Sequence, residues 1–209
     1  MSLKKASLII FLVLIIDQIV KIYIKTNFVY GSTGMIDVTG WFKLLLIENE
    51  GAAWGTRLSD ILPISDRSGK LILTIFRLFA IGGIGYWLYT SIKKHSPGIL
   101  VVSISLIFAG ALGNIIDSVF YGVIFSESSY NEVATLFAEK TYGTLFHGKV
   151  VDMLYFPMID TTWPDWMPVV GGQTFRFFEP VFNIADTAIS TGVGILLVFN
   201  KRAFPRKED

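Results

Sequence analysis

Four long apolar runs set the pattern of the chain, over residues 6–24, 71–92, 99–125 and 181–200. Each is close to the ~20 residues with which a helix crosses the hydrocarbon core, so the pattern predicts four transmembrane helices. Asp17 and Lys21 interrupt the first run and no small-residue cleavage site follows it, which reads as a retained helix rather than a secretory leader. The runs are joined by one short connection and two long ones, residues 25–70 and 126–180. Within the first long connection, residues 35–47 place β-branched and aromatic side chains around Gly40, the signature of a short strand or hairpin at the interface. Within the second, Trp163, Trp166, Phe175, Phe177 and Phe178 stand among Pro164, Pro168 and the Gly171-Gly172 turn. Aromatics of this kind favour the headgroup level, so the segment is expected to rest on the membrane surface, with a small water-soluble subdomain as the alternative. Residues 126–147 are more polar and read as a surface insertion.

Composition agrees with the pattern. Hydrophobic residues make up 52% of the 209 and charged residues 17%, which departs from a soluble domain in both directions. The formal net charge of +1 gives no basis for a nucleic-acid partner. Zero cysteines exclude disulfides, thiolate metal sites and cysteine nucleophiles. The distribution of Lys and Arg adds orientation. Eight lie in three short segments (Lys4, Lys5; Lys93, Lys94; Lys201, Arg202, Arg206, Lys207), and eight are spread over the two long connections (Lys25, Lys43, Arg57, Arg67, Lys70; Lys140, Lys149, Arg176). The positive-inside rule then puts both termini in the cytoplasm and both long connections outside. The expected fold is an all-α membrane protein, a single domain over residues 1–209, with four transmembrane helices, a small extracytoplasmic β-element and an interfacial loop.

Candidate chemistry lies where spans meet the outer side. Asp152, in Val150-Val151-Asp152, and Asp186, in Phe182-Asn183-Ile184-Ala185-Asp186, are carboxylates in apolar surroundings. Such groups are costly to keep ionised and are retained mainly for chemistry, ion transport or pairing. If the fold joins them across their 34-residue separation, one holds a proton while the other stays charged, which suits acid/base hydrolysis. Asp17 and Lys21 share a helix face at i and i+4 and read as a structural ion pair. Asn114 and Asp117, at i and i+3, read equally as a buried polar network or as part of the site. Gly110-Ala111-Leu112-Gly113 suits close helix association. Asn49-Glu50-Gly51-Ala52-Ala53 is by itself only a turn. Two histidines, His95 and His147, give no usual zinc site, and no cofactor is implied.

Five motifs, taken in order, resemble bacterial lipoprotein signal peptidase, the signal peptidase II family. They are Asp17-Gln18-x-x-Lys21, Asn49-x-Gly51-Ala52-Ala53, Gly110-Ala111-x-Gly113-Asn114-x-x-Asp117, Val150-Val151-Asp152 and Phe182-Asn183-x-Ala185-Asp186. The resemblance covers nearly the whole chain, least well at residues 56–70 and 126–147. It implies a metal-independent aspartic endopeptidase of the bacterial inner membrane, cleaving diacylglyceryl-modified prolipoproteins before the lipidated cysteine. Asp152 and Asp186 match the catalytic pair. Asn49, Gly51, Asn114 and Asn183 match supporting or substrate-binding positions, and Asp17, Lys21 and Asp117 a structural set. One position departs: Ser118 stands where the family commonly has Arg, and Arg176 is the candidate for its role. The alternative from the residues alone is a small proton- or ion-coupled transporter using Asp17, Asp117 and Asp186 as an intramembrane relay.

Overall fold

The computed structural model describes residues 1–50, 58–177 and 180–205, with the side chains of residues 159–160 and 174–177 outside that description. Among the described residues, three helical stretches are long and apolar enough to cross a membrane. They are α1 (Leu3–Asn27), α2 (Asp66–Lys93), and a third built from α3 (Gly98–Ile116), a π-helical turn (Asp117–Tyr121) and α4 (Gly122–Ile124). The sheet strands are β1 (Gly31–Asp37), β2 (Lys43–Asn49), β3 (Val150–Tyr155), β4 (Ile159–Thr162), β5 (Thr174–Phe177) and β6 (Val181–Phe182). Two more helices close the described chain, α5 (Ile184–Val198) and α6 (Asn200–Ala203).

The expected fourth span differs most from its apolar run. Val181 and Phe182 are extended because they pair with β3, so α5 keeps only 15 residues. That is roughly 22 Å of helix, short of the ~30 Å core. The first span is longer than its apolar run, and Lys25, counted with the outer connection, is a buried residue of its last turn.

Exposure is inverted relative to a water-soluble protein. Phe11, Ile19, Phe76, Phe79 and Leu197 face outward, while Asp17, Lys21, Thr74, Ser103, Ser105 and Asp117 are buried. Helices that turn apolar faces out and polar groups in have lipid as their solvent. Small residues set how closely they approach. A Cβ on Gly110 would lie 2.2 Å from the Ala185 carbonyl oxygen, and one on Gly192 would lie 2.7 Å from that of Ser103. The backbones of α3 and α5 therefore touch, which is the association expected of the glycine patch.

The hairpin expected around Gly40 is β1–β2. Gly40 turns it at a φ of +76°, a value that favours glycine, and its N–H donates to the Asp37 carboxylate. The sheet extends beyond that hairpin. Its order is β1-β2-β3-β6, antiparallel throughout, and β4–β5 forms a separate hairpin within the aromatic connection. Val151 and Met153 pack with Ile24, Phe28, Leu46, Tyr121 and Phe125, a core that ties the sheet to the ends of α1 and the third span. Residues 126–147, expected as a surface insertion, pack against that core through Ala134 and Tyr142, and the Ser128 hydroxyl donates to Glu48.

Candidate active site

Asp152 and Asp186 are joined by strand register. Asp152 lies opposite Ile47 on β2, two residues from the Val150–Asn49 pair, so Asn49 and Asp152 are diagonal neighbours on one sheet face. The Asn49 amide donates to Asp152 Oδ2. On the other edge of β3, Leu154 pairs with Phe182, and the chain passes from β6 into the N-terminus of α5. Asn183 caps that helix and Asp186 is its third residue, forming a reciprocal box in which Asn183 Oδ1 accepts from the Asp186 N–H at 2.8 Å and Asp186 Oδ2 accepts from the Asn183 N–H at 3.3 Å.

Asn183 binds the two carboxylates to one another. Its buried amide nitrogen donates to Asp152 Oδ1 at 2.7 Å, to Asn114 Oδ1 at 3.0 Å and to the Val151 carbonyl at 3.3 Å. Asn114 in turn donates to Asp186 Oδ1 at 2.8 Å and accepts from Lys21 Nζ at 2.8 Å. With all their amide atoms engaged, both asparagines are held in a single orientation.

Beneath them lies a buried ion cluster. Lys21 Nζ is 3.0 Å from Asp17 Oδ2 and 2.8 Å from Asp117 Oδ2, and all three side chains are excluded from solvent. Gln18 donates to Asp17 at 3.1 Å and Asp117 at 3.0 Å, and accepts from the Tyr121 hydroxyl at 3.1 Å. The Asp17 and Asp117 carboxylates also reach the elements that carry Asp152 and Asp186. Asp17 Oδ1 accepts from the Ala185 N–H at 2.9 Å, and Asp117 Oδ2 from the Val151 N–H at 3.3 Å. The cluster thus fixes α5 one residue before Asp186 and β3 one residue before Asp152.

The π-helical turn fixes the approach to β3. Widening the helix frees carbonyls from the intrahelical ladder, and the preceding loop uses them: Phe146 N–H donates to Val119 O at 3.0 Å and Gly148 N–H to Ser118 O at 2.9 Å. A Cβ on Gly148 would lie 2.0 Å from the Asp117 carbonyl oxygen, so glycine is required there.

The two carboxylates sit in different surroundings. Asp152 is buried, and burial pushes its carboxyl up to about 7, with the charge of Asp186 acting in the same direction against the hydrogen bonds from Asn183 and Asn49. Asp186 is half-buried at a helix N-terminus, where backbone N–H groups favour negative charge. Burial thus favours the neutral form of Asp152, and Asp186 is the more accessible of the two carboxyl groups.

Asp152, Asp186, Asn49, Asn114 and Asn183 thus form one site, and Asp17, Lys21 and Asp117 form its support. Gly51, Ala52 and Ala53 lie outside the described residues, as does the side chain of Arg176, whose backbone pairs with Asp160. Ser118 is buried and donates to the Asn114 carbonyl at 3.0 Å. Two elements escaped the sequence reading. The Asn183-x-x-Asp186 spacing is a capping-box signature that marks where α5 starts, and Arg77 is a cation inside the second apolar run.

The model of the family described as signal peptidase (SPase) II matches residues 9–201. The chain belongs to the signal peptidase II family. Among its relatives is a lipoprotein signal peptidase of Porphyromonas gingivalis, 44% identical over 197 residues, which cover 93% of this chain and 82% of that one. Another, from Amoebophilus asiaticus, is 36% identical over 194 residues, covering 92% and 75%. A solved bacterial membrane enzyme shares the fold with a TM-score of 0.58 at 26% identity, covering 99% of this chain and 94% of that chain. A second gives 0.59 at 25% identity, covering 95% and 93%. The transporter alternative finds no support in the signal peptidase II match, and Asp17 and Asp117 are engaged with Lys21.

Proposed function

We propose that this signal peptidase II family member is an aspartic endopeptidase of the bacterial inner membrane that removes signal peptides from diacylglyceryl-modified prolipoproteins, with Asp152 and Asp186 as its catalytic pair. The observation that carries the reading is the shared hold of Asn183 on both carboxylates, Asp152 through its amide and Asp186 through the helix cap.

In the mechanism this supports, a water lies between the carboxylates. Asp186, ionised at the helix N-terminus, takes a proton from the water as its oxygen bonds to the scissile carbonyl carbon. Asp152, neutral in its buried position, donates a hydrogen bond and then a proton to the developing oxyanion. The tetrahedral intermediate collapses when Asp152 recovers that proton and Asp186 passes its own to the leaving amine nitrogen, which breaks the C–N bond and restores both groups. Asn114 and Asn183 hold Asp186, and Asn49 and Asn183 hold Asp152, at constant geometry through these transfers.

The proposed topology has four crossings, with α5 and α6 completing the last, both termini in the cytoplasm, and the sheet with the dyad at the outer boundary. Substrate then enters sideways from the bilayer, and its acyl chains supply much of the binding, at about 0.8 kcal/mol per buried methylene. Cleavage of a diacylglyceryl-modified peptide and of its unlipidated counterpart by the purified protein tests this reading. The lipidated form is expected to be cut at a far higher kcat/KM, and equal rates would refute a lipoprotein substrate.

A further inference from the structure

Arg77 is a cation placed within an apolar span on the face of α2 that turns inward. Lys70, Thr74, Ile81 and Leu88 are buried on that helix, and Arg77 falls between Thr74 and Ile81 at helical spacing, itself half-buried. Ile81 packs with Ile115 and Val119, which bracket the segment holding Asp117 and Ser118, and so sets this stretch of α2 against the part of the third span that carries Asn114 and Asp117. The guanidinium is in electrostatic reach of Asp186.

Its neighbours on α2 have their polar groups engaged. Lys70 donates to the Glu50 carbonyl, and Thr74 to the Lys70 carbonyl at 2.9 Å and the Phe146 carbonyl at 3.1 Å. Arg77 forms no hydrogen bond or ion pair with the described residues. A guanidinium carries five donors in a planar fork, and leaving them without acceptors in a span is costly. An extended peptide lying between α2 and the dyad brings the matching groups, since its backbone carbonyls are cut off from water at the membrane boundary. Ser118 cannot serve this purpose, because it is buried and its hydroxyl is committed to Asn114.

We propose that Arg77 is a substrate-binding residue of this site, donating to backbone carbonyls of the peptide beside the scissile bond from the inward-turned face of α2. The proposal rests on the peptidase reading and assigns to α2 one wall of the substrate groove. Substrate then threads between α2 and the helix start that presents Asp186.

Two measurements test it. In the first, binding of a fluorescent diacylglyceryl-modified peptide is compared between Asp152→Asn protein, which does not turn it over, and the same protein carrying Arg77→Gln as well. The added substitution is expected to weaken binding about 10- to 100-fold, the scale of a hydrogen bond to a charged donor. In the second, kcat and KM are measured for Arg77→Gln and Arg77→Lys in the otherwise unaltered protein, with Arg67→Gln as an exposed control on the same helix. KM is expected to rise in Arg77→Gln, with partial recovery in Arg77→Lys, which keeps the charge and loses the fork. Unchanged affinity overturns the proposal, and so does a loss confined to kcat with a displaced pH profile, which would make Arg77 a modulator of Asp186 alone. Should Arg77→Gln fail to fold, the Arg77→Lys affinity decides by the same criterion. Full activity in Asp152→Asn would instead remove the peptidase reading on which the proposal stands.

Discussion

Asp152 and Asp186 are the same residue type made unlike by position. Asp152 stands on a strand enclosed by two others, with burial opposing its charge, whereas Asp186 stands half-open at a helix start that favours charge. Because the folded-state value of Asp152, about 7, lies above the ordinary carboxylate value of 3.8, folding favours its neutral form. The stabilisation is complete below about pH 4 and is lost as pH rises through about 7, on the order of 4 kcal/mol in all. Asp152→Asn cannot ionise and escapes that loss. Thermal unfolding between about pH 4 and about pH 8 should therefore show the wild-type Tm falling relative to that of Asp152→Asn as pH increases. Parallel curves for the two proteins would mean that Asp152 titrates as an ordinary surface carboxylate. That the two aspartates stand out was legible in the sequence, since acids in apolar surroundings are conspicuous. Their unlike surroundings were not, because they depend on which is enclosed and which caps a helix.

At the scale of elements, helices were easier to read than strands. An apolar run of span length has few alternatives, and three of the four became helices long enough to cross a membrane. β3 gave no such signal. In Val150-Val151-Asp152-Met153-Leu154-Tyr155 both faces are apolar or buried, so the alternation that marks a half-exposed strand is missing. Its strand character comes from pairing with β2, about a hundred residues earlier, and β6 exists only because β3 offers an edge. The π-helical turn was equally hidden, being fixed by a loop that claims its carbonyls. The proposed orientation of the elements rests on their flanking charges. In this cysteine-free chain, a single cysteine placed at Ser128, near the sheet, should react in intact cells with a membrane-impermeant thiol reagent, and one at Ser96, between α2 and α3, should be protected. The opposite labelling pattern would turn the molecule over in the membrane.

On the scale of the whole molecule, the helices act as the frame and the sheet as the part that completes the site. The Asp17–Lys21–Asp117 cluster lies at the junction, tied through single hydrogen bonds to the residue before each aspartate of the proposed catalytic pair. A buried cluster of this kind adds little net stability, since desolvation offsets the attraction, and its value here is to hold β3 and α5 in one relative position. The central claim is that this frame serves two carboxylates acting together on a peptide bond. Mass spectrometry of a diacylglyceryl-modified peptide incubated with purified wild-type, Asp152→Asn and Asp186→Asn proteins tests it most directly. Wild type should release the peptide cut immediately before the lipidated cysteine, and neither variant should release any while both remain folded in the membrane. Turnover retained in either folded variant would contradict the claim.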